Sequence, residues 1–440
     1  MQKLPALLQT ALEKLHIRQL NEIQTASLKA TESFDNVVIL APTGKGKTLG
    51  FLLPILKKLQ PDNKEIQALI LAPSRELALQ IESVFKTMGT GFKVNCCYGG
   101  HSMRVEKDNL RTPPAVLVGT PGRIADLIEK NRFALTSIQT LVLDEFDKSL
   151  ELGFEEDMGY IINALPNLKK RILTSATNMD EIPSFTGIKS FEELNFLSEL
   201  QSSQLKLHTV RAEGDDKLHA LFLLLCKLGD EASLVFCNHR DAVDRISDLL
   251  YDTGIQHAVF HGGLDQDARE RALVKFRNGT VRTLITTDLA ARGLDIPSVR
   301  NVIHYQLATT LESFTHRNGR TARMDAAGKA FLLLSGTDTL PNYVSESPEE
   351  IVLEENASVP ESPKWMTLYF GGGRKDKISK GDIVGLLLQK AGLMKEEVGL
   401  IEVKDFFTYA AVIAEKAKNA VSLLKNEKVK KKKVKIDISR

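Results

Sequence analysis

The sequence predicts an α/β protein built from two tandem parallel-sheet domains followed by a small βαββαβ domain. Three observations lead to this prediction. Apolar β-branched runs alternate with amphipathic segments from residue 37 onward, as in a parallel sheet covered by helices. The same alternation begins again near residue 233, and 440 residues exceed the length of one ordinary core. After residue 363 the order of the segments becomes strand, helix, strand, strand, helix, strand.

The first domain is predicted to span residues 1–200 and the second residues 201–345. Each contains short runs rich in Val, Ile and Leu, which are typical of strands buried on both faces. In the first domain these runs are 37–40, 68–72, 115–119, 140–145 and 171–177. In the second domain they are 233–238, 257–262, 283–288, 301–305 and 330–334.

Residues 346–363 are predicted to form an acidic linker, because they hold six Glu and three Pro but no Lys or Arg. The third domain would span residues 364–440. Its strands are predicted at 366–371, 398–403, 407–412 and 429–438, and its helices at 382–392 and before 424. This order is ferredoxin-like, and it is also the order of RNA-recognition modules, whose sheets can present aromatic rings to bases.

Charge is distributed unevenly along the chain. The formal net charge is +2, but residues 364–440 hold 18 Lys and Arg against 9 Asp and Glu. This asymmetry predicts a polyanionic partner for the third domain. The four cysteines lack metal-site spacing, and no HExxH pattern occurs, so a metal hydrolase is disfavoured. No apolar run reaches about 18 residues. We therefore expect a cytoplasmic protein with no membrane association and no obligate protein partner.

Residues 41–48, with the sequence APTGKGKT, predict a triphosphate-binding loop between a buried strand and a helix. Thr43, Gly44, Lys45 and Gly46 form the body of the loop, and the glycines let the backbone approach phosphate oxygens. The following Lys47 would reach the β- and γ-phosphates, and the Thr48 hydroxyl would ligate Mg²⁺. ATP and Mg²⁺ are therefore the predicted cofactors.

An acidic pair follows the predicted strand 140–143. Asp144 would hold Mg²⁺ together with Thr48, and Glu145 would position and deprotonate the attacking water. The alternative is that these acids only favour a helix N-terminus. A catalytic role is preferred, because α/β sheets bind ligands at the carboxyl ends of their strands.

The loop and the segment DEFD at 144–147 resemble the DEAD-box RNA helicases of superfamily 2. The family's other motifs occur in the same order over about 300 residues. They are PSRELA (73–78), GG (99–100), TPGR (120–123), SAT (175–177), VFCN (235–238), HGGLDQDAR (261–269), TDLAARGLD (287–295) and HRNGRTAR (316–323). The resemblance implies two RecA-like domains and RNA-stimulated ATP hydrolysis that locally unwinds or remodels RNA.

The resemblance also implies roles for individual residues. Gln24 would read the adenine edge, Asp295 would meet the ribose, and Arg320 and Arg323 would stabilise charge on the transferring phosphoryl group. The residues that would hold RNA phosphates are Arg75, Gly100, Thr120, Arg123, Gln266, Arg269 and Thr287. The residues that would couple the two domains are Asp147, Ser175, Thr177, His316 and Arg317. Taken singly, each of Arg75, Arg123 and Arg269 also suits a surface ion pair.

Residues 371–385 and the strands that follow resemble the RNA-binding domain of the DbpA type of bacterial DEAD-box proteins. The resemblance implies an RRM-like fold and a target in large-subunit ribosomal RNA or its precursor particle. Arg374, Lys375 and Lys377 would form a cationic RNA-binding loop. The rings of Tyr369, Phe407 and Tyr409 could stack on bases, but alternation along a strand also buries aromatic residues, and Phe370 and Phe407 suit the core as well.

The sequence departs from the family pattern at three places. No Phe, Tyr or Trp precedes Gln24, Phe146 replaces the alanine of the DEAD box, and Ala322 stands where glycine is common. Phe146 either fills a local void or changes the coupling between ATP and RNA. These departures leave a second hypothesis open, an ATPase-impaired RNA-binding protein or annealing chaperone. A DNA translocase is a third and weaker hypothesis.

Overall fold

The computed structural model describes residues 5–42, 44–99, 110–179, 181–197, 205–214, 216–290, 296, 299–321, 328–336, 338–344, 348–355, 357–430 and 432–439. Within these ranges no helix is long and apolar enough to cross a membrane. The chain forms two compact units, which divide at residues 203 and 204.

Unit 1 is built on a parallel sheet whose strand order is β3-β4-β2-β5-β6-β1-β7. The strands are β1 Asn36–Leu40, β2 Ala68–Leu71, β3 Val94–Cys97, β4 Val116–Gly119, β5 Thr140–Leu143, β6 Lys170–Ser175 and β7 Glu192–Asn195. The helices are α1 Ala6–Lys14, α2 Glu22–Ser33, α3 Lys47–Lys58, α4 Arg75–Thr87, α5 Pro121–Glu129, α6 Phe146–Glu151 and α7 Glu155–Ala164. Because helices cover both faces, two apolar cores form, one on each side of the sheet.

The strand order of unit 1 divides the carboxyl edge of its sheet into two halves. Strands β5, β6 and β1 are neighbours, so the segments that follow them emerge side by side. Strands β3, β4 and β2 form the other half of the same edge. The loops and helix N-termini that follow these strands carry the predicted site residues of this unit.

Unit 2 contains a second parallel sheet, in the order β10-β11-β9-β12-β13-β8-β14. The strands are β8 Leu205–Arg211, β9 Ser233–Phe236, β10 His257–Phe260, β11 Thr283–Thr286, β12 Asn301–His304, β13 Gly328–Leu334 and β14 Glu349–Glu350. The helices are α8 Leu218–Leu228, α9 Arg240–Asp252, α10 Gln266–Arg277 and α11 Leu311–Asn318.

The tail domain of unit 2 is an antiparallel sheet in the order β16-β17-β15-β20. Its elements are β15 Trp365–Phe370, α12 Lys380–Gln389, β16 Val398–Val403, β17 Thr408–Ile413, α13 Ala414–Leu424 and β20 Ile436–Ile438. Both helices pack on one face, where Leu368, Ala410 and Ile401 enter the core. The predicted fold class, two RecA-like parallel sheets and an RRM-like βαββαβ domain, is therefore confirmed.

Two segments differ from their predicted form. Instead of one strand over 429–438, the described residues give a short hairpin, β18 Lys428–Val429 with β19 Lys432–Lys433, and then β20. Lys430 has a φ of +47°, a left-handed conformation that an extended strand excludes. Consecutive lysines also repel one another along an extended run.

The predicted acidic linker lies partly on the second sheet. Strand β14 pairs in parallel with β8, and the Ile351 N–H donates to the Thr209 carbonyl at 2.8 Å. Ile351 and Leu353 pack against the core of this sheet. Apolar residues between the glutamates therefore pack this segment against the second sheet. The sheet extends beyond the predicted domain boundary at residue 345.

Candidate nucleotide and RNA sites

The loop between β1 and α3 has the backbone of an anion-binding turn. Gly44 and Gly46 adopt φ values of +86° and +89°, which only glycine takes up without strain. Lys47 begins α3, is buried, and donates through Nζ to the carbonyl of Ala41. Lys45 is exposed and Thr48 half-buried, while Thr43 lies outside the described residues. The loop amides, the ammonium group and the helix N-terminus thus suit a polyphosphate.

Gln24 lies against this loop. Its N–H donates to Asn21 Oδ1 at 2.9 Å, and its Oε1 accepts from the Asn21 N–H at 3.1 Å, so the two form a capping box on α2. Asn21 Nδ2 also donates to the Lys45 carbonyl at 2.9 Å. A Cβ at Gly46 would approach Gln24 Nε2 to 2.8 Å, so that glycine admits the glutamine. Asn21 was not among the predicted residues, although the pattern N-x-x-Q before an apolar segment could have identified it.

The acidic pair emerges from β5, with β6 lying between it and β1. Asp144 is almost fully buried, and its Oδ1 accepts a hydrogen bond from Thr174 Oγ1 at 2.5 Å. The Glu145 N–H donates to the same hydroxyl at 3.1 Å, and Glu145 has a φ of +46°. Burial raises the pKa of Asp144, and the Thr174 hydrogen bond and the charge of Lys47 oppose that rise. Thr174 was not predicted, because a buried threonine in a strand resembles any core residue.

The SAT segment is joined to the acidic segment by hydrogen bonds. Asp147 Oδ2 accepts from Thr177 Oγ1 at 3.0 Å and from the Ala176 N–H at 3.2 Å. Ser175 Oγ donates to the Thr177 carbonyl at 2.7 Å. Three residues predicted to couple the domains therefore form one network at the ends of β5 and β6.

Phe146 points into the core. It is fully buried, and it belongs to an apolar cluster with Leu143, Met158 and Ile161. Its ring lies 6.1 Å from that of Phe185, centroid to centroid. This environment favours the void-filling explanation for the large residue.

The predicted RNA residues of unit 1 lie on the other half of the sheet edge. Arg75 begins α4 after β2, and a Cβ at Gly99 would lie 3.5 Å from its guanidinium. Thr120 is the N-cap of α5 but makes no side-chain cap hydrogen bond. Arg123, in the first turn of α5, donates to Asp126 at 3.0 Å. Gly100 lies outside the described residues. Two helix N-termini with basic side chains thus share this half.

The predicted RNA residues of unit 2 lie at the carboxyl ends of β10 and β11. Gln266 and Arg269 occupy the start of α10, where Arg269 donates to Gln266 Oε1 at 2.7 Å. Asp265 caps the helix by accepting from the Ala268 N–H at 2.7 Å. Thr287 directly follows β11. The proximity of the glutamine and arginine is consistent with one phosphate-binding turn.

Arg317 is fully buried and satisfies its donors within unit 2. It donates to Asp288 at 2.5 and 3.1 Å, to the Gln306 carbonyl at 2.8 Å and to Asn238 Oδ1 at 2.7 Å. Its guanidinium also lies 5.4 Å from the centre of the Phe236 ring. The side chain ties together the segments after β9, β11 and β12, and any coupling role would be exerted through them.

Other predicted residues of unit 2 lie near this arginine or outside the described residues. His316 and Arg320 are almost fully buried, and His316 Nε2 lies 3.8 Å from Glu312. Asp295, Arg323 and Ala322 lie outside the described residues. The predicted roles of these residues stay predictions.

The cationic loop of the tail domain is exposed and held by its backbone. The Arg374 N–H donates to the Lys404 carbonyl at 2.8 Å, and the Lys375 N–H to the Asp405 carbonyl at 2.9 Å. A Cβ at Gly373 would collide with the Lys404 carbonyl, so only glycine fits there. The side chains of Arg374, Lys375 and Lys377 all project to solvent. This loop therefore presents three cations on a fixed backbone.

The hairpin β18–β19 adjoins this loop. Lys430 Nζ donates to the Lys377 carbonyl at 2.7 Å and pairs with Asp382 at 3.1 Å. Lys432 pairs with Asp376. Two of the tail lysines thus stabilise the loop from outside.

The sheet face of the tail domain opposite its helices is covered by α10 and the turn after it. Thr367 Oγ1 accepts from Asn278 Nδ2 at 2.8 Å, and Arg277 pairs with Glu402 at 2.7 Å. Tyr409 is 3% exposed, and burial raises its pKa to about 12. The predicted option that Tyr409 stacks on bases is therefore wrong in this structure.

Tyr369 and Phe407 are half-buried beside that tyrosine. Their ring centroids lie 5.7 and 5.4 Å from the Tyr409 ring. The three rings form an aromatic cluster at the margin of the covered face. Stacking on a base is thus left to the exposed parts of Tyr369 and Phe407 only.

Three family models match the chain. Residues 21–184 match the DEAD/DEAH box helicase domain, residues 216–325 the helicase conserved C-terminal domain, and residues 367–438 the DbpA RNA binding domain. The sequence is 30% identical over 460 residues to the ATP-dependent RNA helicase DbpA of Bacillus subtilis, covering 97% of this chain and 96% of that protein. It is 31% identical over 442 residues to DbpA of Escherichia coli, covering 98% and 96%.

A solved structure is similar over most of the chain. Dbp5 of S. cerevisiae bound to RNA and ADP BeF3 gives a TM-score of 0.71 at 26% identity. The similarity covers 79% of this chain and 94% of that chain.

Proposed function

Because the chain belongs to the DEAD-box ATP-dependent RNA helicases of the DbpA type, we propose that it remodels large-subunit ribosomal RNA during assembly of that subunit. RNA-stimulated ATP hydrolysis and helicase activity come with family membership. The ribosomal target is supported by the similarity of residues 367–438 to the DbpA RNA binding domain. The uneven charge of the chain supports the same target, since the excess of cations lies in this domain.

The observation that carries this proposal is the exposed loop of Arg374, Lys375 and Lys377. Its backbone is fixed by hydrogen bonds to residues 404 and 405, so its three basic side chains start from fixed backbone positions. The sheet face that could have read single-stranded bases is largely covered. We therefore assign RNA recognition to the phosphates and shape of a folded RNA element.

We further propose that the edge formed by β5, β6 and β1 holds ATP with Mg²⁺. The Thr48 hydroxyl and the Asp144 carboxylate offer oxygen ligands, which Mg²⁺ prefers. The ion would neutralise charge on the β- and γ-phosphates. Lys47 would contact the same phosphates, and Glu145 would accept a proton from the attacking water. Gln24 would read adenine beside the loop, and the roles of Arg320, Arg323 and Asp295 are proposed from the family pattern alone.

The RNA proposal is tested with the triple variant R374A/K375A/K377A. The matched control is K395A/K418A/K425A, which removes three exposed lysines elsewhere in the tail domain. ATPase activity is measured against purified large-subunit and small-subunit ribosomal RNA at several salt concentrations. The loop variant should need at least tenfold more large-subunit RNA for half-maximal stimulation. The slope of log affinity against log salt concentration should become shallower by about 2 to 3, because each lost phosphate contact reduces the magnitude of this slope by about 0.7 to 0.9.

Two results would contradict these assignments. If the wild-type ATPase responds equally to both RNAs, the ribosomal target is wrong. If the control variant loses as much affinity as the loop variant, charge matters but the loop does not. For the nucleotide site, Glu145→Gln should abolish turnover and preserve RNA binding. An undetectable turnover in the wild type would instead favour the annealing chaperone.

A further inference from the structure

We propose that Arg277, Glu402, Glu270 and Lys404 are positioning residues. They clamp the tail domain onto helix α10, so that RNA held by the tail reaches the start of that helix in a fixed register. The inference rests on the proposed RNA roles of the cationic loop and of Gln266 and Arg269. It adds a mechanical connection between these two sites, which lie in different domains of unit 2.

The centre of the clamp is a two-bond ion pair between α10 and β16. Arg277 Nε donates to Glu402 Oε1 at 2.8 Å, and its terminal nitrogen donates to Glu402 Oε2 at 2.7 Å. The two side chains are only 14% and 18% exposed. A planar guanidinium that binds both carboxylate oxygens fixes orientation as well as distance.

Lys404 connects the clamp to the cationic loop. Its Nζ lies 2.8 Å from Glu270 on α10 and 3.2 Å from Glu402. Its backbone carbonyl accepts the Arg374 N–H at 2.8 Å. One residue therefore contacts both the helix and the loop that presents the RNA-binding cations.

A polar contact beside the ion pairs closes the interface. Thr367 Oγ1 lies 2.8 Å from Asn278 Nδ2 and 2.7 Å from Thr280 Oγ1. Thr367 is fully buried. Gly279 has a φ of +76°, and a Cβ there would lie 3.3 Å from the Trp365 ring. The turn after α10 therefore fits closely against the tail sheet.

Helix α10 carries both ends of the proposed connection. Gln266 and Arg269 lie in its first turn, and Arg277 is its last residue. Arg277 lies eight positions after Arg269, which corresponds to about 12 Å along a straight helix. A tail domain on a free tether would offer RNA to Arg269 over a wide range of distances. A clamped tail domain offers the RNA to Arg269 at a single distance, which favours a single register of the RNA on the helicase core.

The clamp is tested first without RNA. The variants are R277E, E402R and the charge swap R277E/E402R, with K418E on α13 as the exposed control. Spin labels on unnatural amino acids replace Tyr251 on α9 and Leu423 on α13, which are 81% and 51% exposed. The wild type and the control should each give one narrow distance distribution. Each single reversal should broaden it at least twofold, because two like charges then face each other. The swap should give a narrower distribution than either single reversal, because it restores the central ion pair, although the arginine introduced at position 402 then lies beside Lys404.

The functional readout is ATPase activity with purified large-subunit ribosomal RNA. Each single reversal should lower maximal stimulation at least tenfold, while the RNA concentration for half-maximal effect stays within about threefold of wild type. The swap should restore stimulation to within threefold, and such rescue also excludes general misfolding of the single variants.

A broad distance distribution in the wild type would overturn the clamp, and so would full stimulation in both single reversals. If large-subunit RNA does not stimulate the wild type preferentially, the proposed substrate fails instead. The distance measurement then decides the clamp by itself.

Discussion

Replacing Phe146 with alanine restores the residue typical of the DEAD box, yet it should destabilise unit 1 of this protein. The side chain is fully buried between the sheet and α7, and its ring packs against Phe185. Burial of a phenylalanine contributes about 1.5–3 kcal/mol. A cavity that Phe185 closes only in part adds about 1–2 kcal/mol, so the total loss should be about 2.5–5 kcal/mol. For a unit of this size the unfolding temperature should fall by roughly 10 °C.

The assay for F146A is hydrogen exchange of peptides covering residues 140–164, combined with calorimetry. Gly159→Ala is a matched control, because its Cβ would meet Phe185 at 3.6 Å, an ordinary contact. That substitution lies in α7 and should change stability by less than about 1 kcal/mol. ATPase activity is measured at 15 °C, where F146A stays folded. The ratio of RNA-stimulated to basal activity should stay within twofold of wild type. A loss of stability below about 1 kcal/mol, or a fivefold change of that ratio in folded protein, would refute the void-filling explanation.

Three further outcomes are expected. Asn21→Ala should raise the KM for ATP about fivefold, since it loses a helix cap of about 1 kcal/mol and the hydrogen bond to the Lys45 carbonyl. Asn21→Asp keeps the cap acceptor and should raise the KM less. Equal KM values in the wild type and both variants would contradict this. Arg317→Ala should destabilise unit 2 by about 3–5 kcal/mol, because Asp288 loses its partner. Urea unfolding is followed by the fluorescence of Trp365, the sole tryptophan of the sequence. An unchanged urea midpoint would contradict the predicted destabilisation. Burial lowers the pKa of His304 to about 3, so below pH 6.5 the unfolded chain binds a proton that the folded chain does not, and the free energy of unfolding falls as the pH drops. Between pH 7.5 and 5.5 the wild type should lose about 1.4 kcal/mol more of this free energy than His304→Gln. Parallel pH profiles of the two proteins would contradict this.

The parts of the site that the sequence predicted depend on local geometry. Gly44 and Gly46 lie between a strand and a helix, and Asp144 directly follows an apolar run. Chain order alone therefore places all three residues at the same edge of a sheet. Asn21 was within reach for the same reason, because a capping box is a local pattern. Thr174 could not be predicted in this way, since its importance depends on β6 lying between β5 and β1. The order of strands in a sheet cannot be inferred from any single segment of the sequence.

Contacts between distant segments were the least predictable. Arg277 and Glu402 are 125 residues apart, and each alone resembles a solvated surface charge. Three short strands, β3, β7 and β8, were missed because their runs mix polar with apolar residues, and β14 was missed because it consists of two glutamates. Tyr409 was left between two roles, since alternation along a strand gives the face of a residue but not what covers that face.

The pairing of β14 with β8 bears on how the protein avoids association with itself. Without it, the seven-residue strand β8 would be the last strand on its side of the sheet, with unpaired amides and carbonyls along one edge. Such edges recruit strands from other molecules. Here the edge ends instead in two exposed glutamates, followed by Ile351 and Leu353 packed against the core. A helicase core cut after residue 345 would lose this cover and become prone to aggregation, whereas a core that continues through residue 355 would keep it.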